Sequence, residues 1–352
     1  MAFHLGCLRA LNRLQLLDQI GVISTISGGS VIGAYFAYMP GKSFEEFEAD
    51  IRRMLRQGFQ RSIAQELIRP RNLIRAVKGQ VRLAVAELRA TISRTEPSFK
   101  RVFSRTELFS QILQRDVFAG LQLDSPTKND IKVVIGACEL RSGVAFRFGN
   151  EFSGDWRHGR TCNNHIPVAI AVAASAAYPI FLPALDRTWL FEKQGTLKEE
   201  RVLLTDGGIY DNLGVLVLEP GRNPAFSLHC IPCDYIIACN AGRGQDDGSA
   251  VSLGFRKRVT RAFEVVHKRV QESTMHHLHY LKQSDAIKAF VLPYLGQMDE
   301  QIPNMPADLI PRSEVIGYPT NFGPMSEDWI DKLSRRGDQL TRHLVPLYLT
   351  EV

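Results

Sequence analysis

Long apolar runs are missing from this 352-residue chain. None approaches the ~20 residues needed to cross a bilayer, and the N-terminus has neither the basic region nor the apolar block of a secretory signal. These absences predict a cytoplasmic, non-secreted protein without a membrane span. Cysteine is sparse: Cys7, Cys138, Cys162, Cys230, Cys233 and Cys239 are spread along the chain rather than gathered as a disulfide scaffold. Cys230-Ile-Pro-Cys233 has metal or redox spacing, but no second such pair accompanies it, and a packing role is the simpler reading. No G-x-x-x-x-G-K-[ST] pattern occurs, which argues against a phosphate loop. Internal repeats and low-complexity linkers are also absent, so residues 1–352 read as a single domain.

What is present is enough for a large core. Hydrophobic residues make up 45% and charged residues 23%, so disorder is not the default expectation. Charge is unevenly placed. Residues 51–105 hold 14 Lys/Arg, among them Arg52, Arg53, Arg56, Arg69, Arg71, Arg75, Lys78 and Arg82, against Glu66, Glu87 and Glu96. That segment carries +11 within a chain of +6, so the basic character belongs to a helical insert, residues 44–115.

Periodicity supplies the rest of the outline. Phe3, Cys7, Leu11 and Leu14, widened by Leu8, predict an amphipathic helix over residues 3–17. Gly21-Val22-Ile23 reads as a short strand, and a second helix runs from about Val31 to Tyr38. In the insert, punctuated by Pro70 and Pro97, Leu73, Val77, Val81, Val85, Leu88 and Ile92 share one helix face, and Arg75, Lys78, Arg82 and Arg89 share the other. Strands are expected at residues 131–137, 144–148, 189–191, 202–204 and 235–239. Small residues 166–177 suit a helix stopped by Pro179. A long helix is expected over about residues 253–281 with Phe255, Val259, Phe263, Val266, Val270 and Leu278 inward, and a last one over residues 329–348. Helix, strand, tight turn, helix is the rhythm of an α/β sheet protein.

The stretch Ser24-Thr25-Ile26-Ser27-Gly28-Gly29-Ser30 sits where a strand hands over to a helix. A nucleophilic serine must be held out of the sheet on a sharp turn between small neighbours, and Ser27 between Ile26 and Gly28-Gly29 meets that demand. A helix beginning at the nucleophile aims free N–H groups at the oxygen that becomes negative in acyl transfer, with Gly28 N–H the first donor. Gly29 and Gly33 share a helix face that could approach the sheet closely. A glycine turn that packs or binds phosphate is the plainer alternative for the motif alone.

A base is offered at Leu203-Leu204-Thr205-Asp206-Gly207-Gly208, an apolar strand ending in an acid and two glycines. A carboxylate desolvated at a strand end gains basicity; a plain Asp-Gly turn is the competing reading. None of the nine histidines stands in a comparable setting. His276, His277 and His279 lie late in the long helix without an acidic partner pattern, so neither a metal site nor a Ser-His-Asp triad is expected.

Together these motifs resemble the patatin-like phospholipase family. The nucleophile elbow is Ser24 to Ser30, the aspartate motif is Asp206-Gly207-Gly208 followed by Asp211-Asn212, and Ala173-Ala174-Ser175-Ala176-Ala177-Tyr178-Pro179 is similar to the family's Ala-Ser-rich helix ending in proline. The likeness covers about residues 1–240. It implies a three-layer α/β/α sandwich with a central, mostly parallel sheet. It also implies hydrolysis of lipid or phospholipid acyl esters by a Ser27–Asp206 dyad, without histidine, metal or cofactor, with Asn212 holding the aspartate loop.

Two departures stand out. Thr25 occupies a position where the family usually carries glycine. The family's oxyanion loop, three glycines and an arginine, belongs just ahead of the first helix, yet the chain begins Met1-Ala2-Phe3-His4-Leu5-Gly6, where that helix is already under way. The expectation is either a truncated view of a working enzyme or a weak, even inactive, lipid-binding or scaffold protein. Loss of a central strand would also expose a sheet edge.

The basic insert pairs an apolar stripe with an arginine face, a pattern suited to an anionic membrane surface and a peripheral location. Phosphates of nucleic acid attract the same charges. The segment lacks regularly interleaved aromatics and any nucleic-acid motif, so membrane contact ranks first.

Overall fold

The computed structural model describes residues 1–93, 103–179, 181–244, 254–319 and 322–350. Leu253, Pro97, residues 94–102 of the basic segment, and the side chains of Leu73 and Phe255 lie outside the described residues.

Helices α1 (Ala2–Arg13) and α2 (Gly28–Tyr38) flank strand β1 (Val22–Ile26). The first helix stops earlier than its apolar spacing suggests. Gln15 takes a left-handed φ of 57° and breaks the stripe before Leu17–Gln19. Helices α3 (Phe44–Gln57), α4 (Gln60–Ile68), α5 (Pro70–Ser93) and α6 (Arg105–Asp116) follow. Ser43 and Glu46 form a reciprocal capping box that starts α3.

Strands β2 (Lys132–Glu139), β3 (Val144–Gly149), β4 (Ser153–Asp155) and β5 (Gly159–Thr161) precede α7 (Val168–Ser175). Strands β6 (Leu185–Lys193) and β7 (Thr196–Asp206) form a long hairpin, and β8 (Tyr235–Ile237), α8 (Phe255–Gln283), β9 (Ala289–Val291) and α9 (Glu327–Tyr348) complete the chain.

The result is a mixed α/β fold with a large sheet flanked by helices. Seven strands run in the order β1 to β7, and β2 also pairs with β7. The mostly parallel sheet expected from the sequence is corrected: among the described strands only β1–β2 and the separate β8–β9 pair are parallel. The remaining pairings are antiparallel because β2 through β7 are joined by connections short enough for hairpins, apart from the α7 crossover. Strand β1 lies at the sheet edge, pairing with β2 alone among the described strands.

The main core joins Phe3, Cys7 and Leu11 of α1, Val31, Tyr35 and Phe36 of α2, the alanines of α7 and the apolar face of α9. Helices α3 and α6 also contribute, through Phe47 and Ile51 and through Phe109 and Ile112. Helix α5 does not behave this way. Val77, Val81, Val85, Leu88 and Ile92 are all exposed, Ile92 by 75%. On α8 the expected inward set is corrected in part: Leu278 is fully buried, but Val259 and Val266 are exposed. A 29-residue helix outruns the body it packs on, and only the stretch lying over the aspartate loop and the β8–β9 pair finds apolar partners.

Candidate active site

Parallel pairing with β2 carries β1 straight to Ser27, and the strand ends there in a sharp turn. Ser27 has φ 52° and ψ −130°, a conformation that costs of order 1–3 kcal/mol for a residue with a Cβ. It is the strained strand-to-helix geometry that projects a nucleophile above a sheet. The next residue, Gly28, opens α2, three positions earlier than apolar spacing alone suggests.

Several contacts over-determine the turn. Ser27 N–H donates to Ser175 Oγ at 2.9 Å, and Ser175 and Ser30 share a hydroxyl hydrogen bond at 2.7 Å. Ser30 and Ser175 are fully buried. Helix α2 can lie on β1 because Gly33 has no side chain: a Cβ there would fall 2.4 Å from Thr25 Cγ2. Gly29, expected to share that task, has room for a Cβ, with His4 Cε1 the nearest atom at 3.9 Å. A Cβ at Gly28 would meet nothing within 4 Å, so the space at that position is open.

Asp206 ends β7 where that strand runs against β2, paired with Ala137. The end of α7 also anchors it, since Asp206 N–H and the Thr205 hydroxyl both donate to Ala177 O. Gly207 lets the strands close, because a Cβ there would lie 2.3 Å from Gly136 O. The carboxylate accepts the Ser27 hydroxyl at Oδ2 (2.7 Å) and Gly208 N–H at Oδ1 (2.8 Å). Asp206 is 1% exposed, and burial pushes its carboxyl up to about 6, against the two hydrogen bonds that hold it down. The structure thus brings together Ser27, Asp206, Gly28, Gly29, Gly207 and Gly208. A buried carboxylate of raised basicity on a serine hydroxyl can accept that proton as the oxygen attacks an acyl carbon.

Asn212 follows Asp211 in the loop after the aspartate. The loop after the aspartate is held by Asp211, which accepts N–H bonds from Leu213, Gly214 and Leu216. Asn212 instead donates to Gln271 Oε1 on α8 at 2.9 Å, tying the loop to that helix. Beside it lies a residue the sequence did not single out, His267. A Cβ at Gly208 would fall 2.5 Å from His267 Nε2, 2.7 Å from Asn212 Oδ1 and 3.0 Å from Asp206 Oδ1. The available signal was the spacing Phe263, His267, Gln271, which puts a histidine and an amide on one helix face. Ser175 was likewise seen only as part of a small-residue motif.

A cavity of about 1660 Å³ opens over this site. Ser27 and Gly28 line it together with β1, β8 and the N-terminal part of α1. His4 lines it too, with Nε2 3.1 Å from Cys239 O, and burial lowers its imidazole to about 3.

The motifs set aside at the sequence level stay apart. His277 pairs with Glu219 and His279 packs edge-on to Phe290. Cys230 and Cys233 are free thiols directed at the carbonyls of Ser227 and Ile231. Among the described residues no group of three His, Cys, Asp or Glu side chains is placed to hold a metal, and no helix is long and apolar enough to cross a membrane.

The family model "Patatin-like phospholipase" matches residues 1–218, a span that contains both Ser27 and Asp206. The match takes in more than half of the chain, which therefore belongs to the patatin-like phospholipase family. No curated protein matches the chain. Among solved structures, the chain is similar to VipD from Legionella pneumophila at 12% identity and a TM-score of 0.39, over 99% of this chain and 65% of that one. It spans 65% of the length of the VipD chain, and at this distance the likeness carries no functional information.

Proposed function

We propose that this protein is a serine acyl hydrolase of lipid or phospholipid esters, with Ser27 as nucleophile and Asp206 as general base, built as a single domain over residues 1–352 into which residues 44–115 are inserted. The observation that carries the reading is the 2.7 Å hydrogen bond between a serine on a left-handed elbow and a buried carboxylate of raised basicity. Ser27 Oγ attacks the ester carbonyl as Asp206 Oδ2 takes its proton, giving an acyl enzyme that water releases. Gly28 N–H and the start of α2 face the developing oxyanion. No metal or cofactor enters this scheme.

Turnover of a short-chain glycerol ester by wild type, Ser27→Ala and Asp206→Asn tests it, with covalent labelling by a fluorophosphonate probe. Both variants should lose turnover by about 10⁴-fold or more, and Ser27→Ala should also lose labelling. Unchanged turnover in Ser27→Ala would sink the dyad. The pH profile sharpens the test. The base works as carboxylate, so activity should climb as pH rises through about 6 and stay high above it. An acid limb at the ordinary carboxylate value near 3.8 would contradict the buried base.

A second reading, a lipid-binding protein with weak or no turnover, is favoured by the open space beside Gly28 and the cavity along the free edge of β1. Each oxyanion donor is worth roughly 2.7–4 kcal/mol, so a hole resting on Gly28 alone would be slow. Lipid binding without probe labelling would select this reading.

Helix α5 supports contact with an anionic membrane surface. Its apolar stripe is exposed, and among the described residues no acidic side chain pairs with Arg75, Lys78, Arg82 or Arg89. Each basic residue near an anionic surface adds about 1 kcal/mol.

A further inference from the structure

Strands β1 and β7 reach the site along the same neighbour, β2. Strand β1 ends at Ile26, opposite Gly136, and β7 ends at Asp206, opposite Ala137. The two strand ends therefore meet over adjacent residues of β2, but the ladder that fixes Asp206 stops one residue short of Ser27. Nor does α2 supply a partner for Ser27 N–H, because the first N–H groups of a helix have no carbonyl of their own helix to bond. The acceptor comes from another element: Ser175 Oγ, on the last residue of α7, at 2.9 Å. Two residues further on, Ala177 O accepts Asp206 N–H at 3.1 Å and the Thr205 hydroxyl at 2.8 Å. One helix end thus holds both halves of the pair, and every residue of α7 but Ile170 is buried.

We propose that Ser175 is a positioning residue for catalysis: its hydroxyl fixes the Ser27 elbow from the α7 end that also anchors Asp206, and so sets the geometry in which the serine proton reaches the carboxylate. The inference rests on the Ser27–Asp206 reading above. A left-handed residue such as Ser27 persists only while its surroundings compensate the strain. Ser175 and Ser30 are fully buried, so water does not replace a lost acceptor, and an unpaired buried N–H favours any rotation of the elbow that finds a new one. Such a rotation carries Ser27 Oγ and Gly28 N–H together, because both belong to the turn. Ser30 closes the loop of contacts. Its hydroxyl lies 2.7 Å from Ser175 Oγ, and its N–H donates to Ser27 O at 2.9 Å.

The protonation of Asp206 reports whether the elbow has moved. The Ser27 hydroxyl and Gly208 N–H are the two donors that hold its carboxyl down against burial. Withdrawal of Ser27 Oγ therefore raises the carboxyl above about 6, and the acid limb of kcat/KM moves to higher pH. The other titratable groups around Asp206 do not blur that limb. Burial pushes the Cys138 thiol of β2 up to about 11 and the Tyr178 hydroxyl beyond α7 up to about 12, and it lowers the His267 imidazole of α8. Replacing Ser175 removes no charge.

Wild type, Ser175→Ala, Ser175→Cys, Ala171→Gly and Ser27→Ala are compared on a soluble short-chain glycerol ester across the pH range. Ser175→Ala should lose about 10- to 100-fold in kcat with KM little changed, and its acid limb should move up by more than about 0.5 pH units. Ser175→Cys fills the same space but accepts an N–H bond only weakly, so its limb should move the same way. Ala171→Gly loosens α7 while keeping the hydroxyl, so it should lower Tm and leave the limb where wild type has it. The limb's position does not depend on how much of a preparation is folded. An unmoved limb in either Ser175 variant, or an equal shift in Ala171→Gly, would overturn the positioning role while Ser27→Ala stays inactive. Wild-type turnover by Ser27→Ala would overturn the dyad reading itself.

Discussion

Along α9, Ile330, Leu333, Leu340 and Leu344 are buried against the core, and Gly6 and Gly337 bring α1 and α9 so close that a Cβ on either would strike the other helix's backbone. Along α5, Val77, Val81, Val85, Leu88 and Ile92 repeat at similar spacing and stand in solvent. Both helices carry an apolar stripe opposite a charged face. The difference lies in the partner: α9 meets a helix with a glycine at the crossing point, while the α5 stripe stays largely exposed. An apolar stripe therefore predicts a helix, and only its surroundings decide whether the stripe builds the core or a contact surface.

Breaking the close side should cost most. Gly6→Val places a Cβ 1.8 Å from Ser334 O and forces the helices apart. The expected loss exceeds about 5 kcal/mol, comparable to the whole stability of an ordinary domain, and would be read as failure to recover folded protein. Arg336→Met attacks the same helix through its charge. Arg336 is fully buried and donates to Asp299, to Leu295 O at 3.0 Å, to Gln297 O and to Ile310 O. Removing it leaves these acceptors unpaired, at a cost of about 3–5 kcal/mol by denaturant unfolding. Leu340→Ala, which opens a cavity in the main core, should cost about 2–5 kcal/mol in the same assay.

On the other side of the comparison the stability effect should nearly vanish. Val81→Ala and Leu88→Ala should each stay within about 0.5 kcal/mol of wild type. The pair Val81→Asp and Leu88→Asp should reduce sedimentation with anionic vesicles while leaving Tm almost unchanged, and raised salt should weaken wild-type binding in the same assay. A large drop in Tm would mean that the α5 stripe is packed in solution, and the contrast with α9 would collapse.

The site was legible to the extent that its chemistry is local. Ser27 between a strand and two glycines, and Asp206 at the end of an apolar strand before two more, are short motifs whose residue types follow from the turn each must make. Gly33, Gly136 and Gly207 have a different logic: each is small because another element crosses at van der Waals distance, and no single segment reveals which one. Asp211 secures the aspartate loop from within for a comparable reason, since a carboxylate can gather three N–H donors from its own turn. His267 was invisible because its neighbours, Gly208 and Asp206, are some sixty residues away in sequence. Strand direction was misjudged because apolar runs show burial but do not record which neighbour each strand takes.

By itself the sequence determined where helices and strands form, where the chain must turn sharply, and which serine and carboxylate stand at strand ends, since these follow from side-chain size, backbone freedom and apolar period within a few residues. Only the tertiary structure decided that Ser27 and Asp206 meet at 2.7 Å, that burial raises the carboxylate's pKa, that α8 lays a histidine beside it, and that the α5 stripe stays uncovered. Those outcomes depend on distances between segments far apart in the chain, and desolvation and hydrogen bonding act only once packing has set those distances.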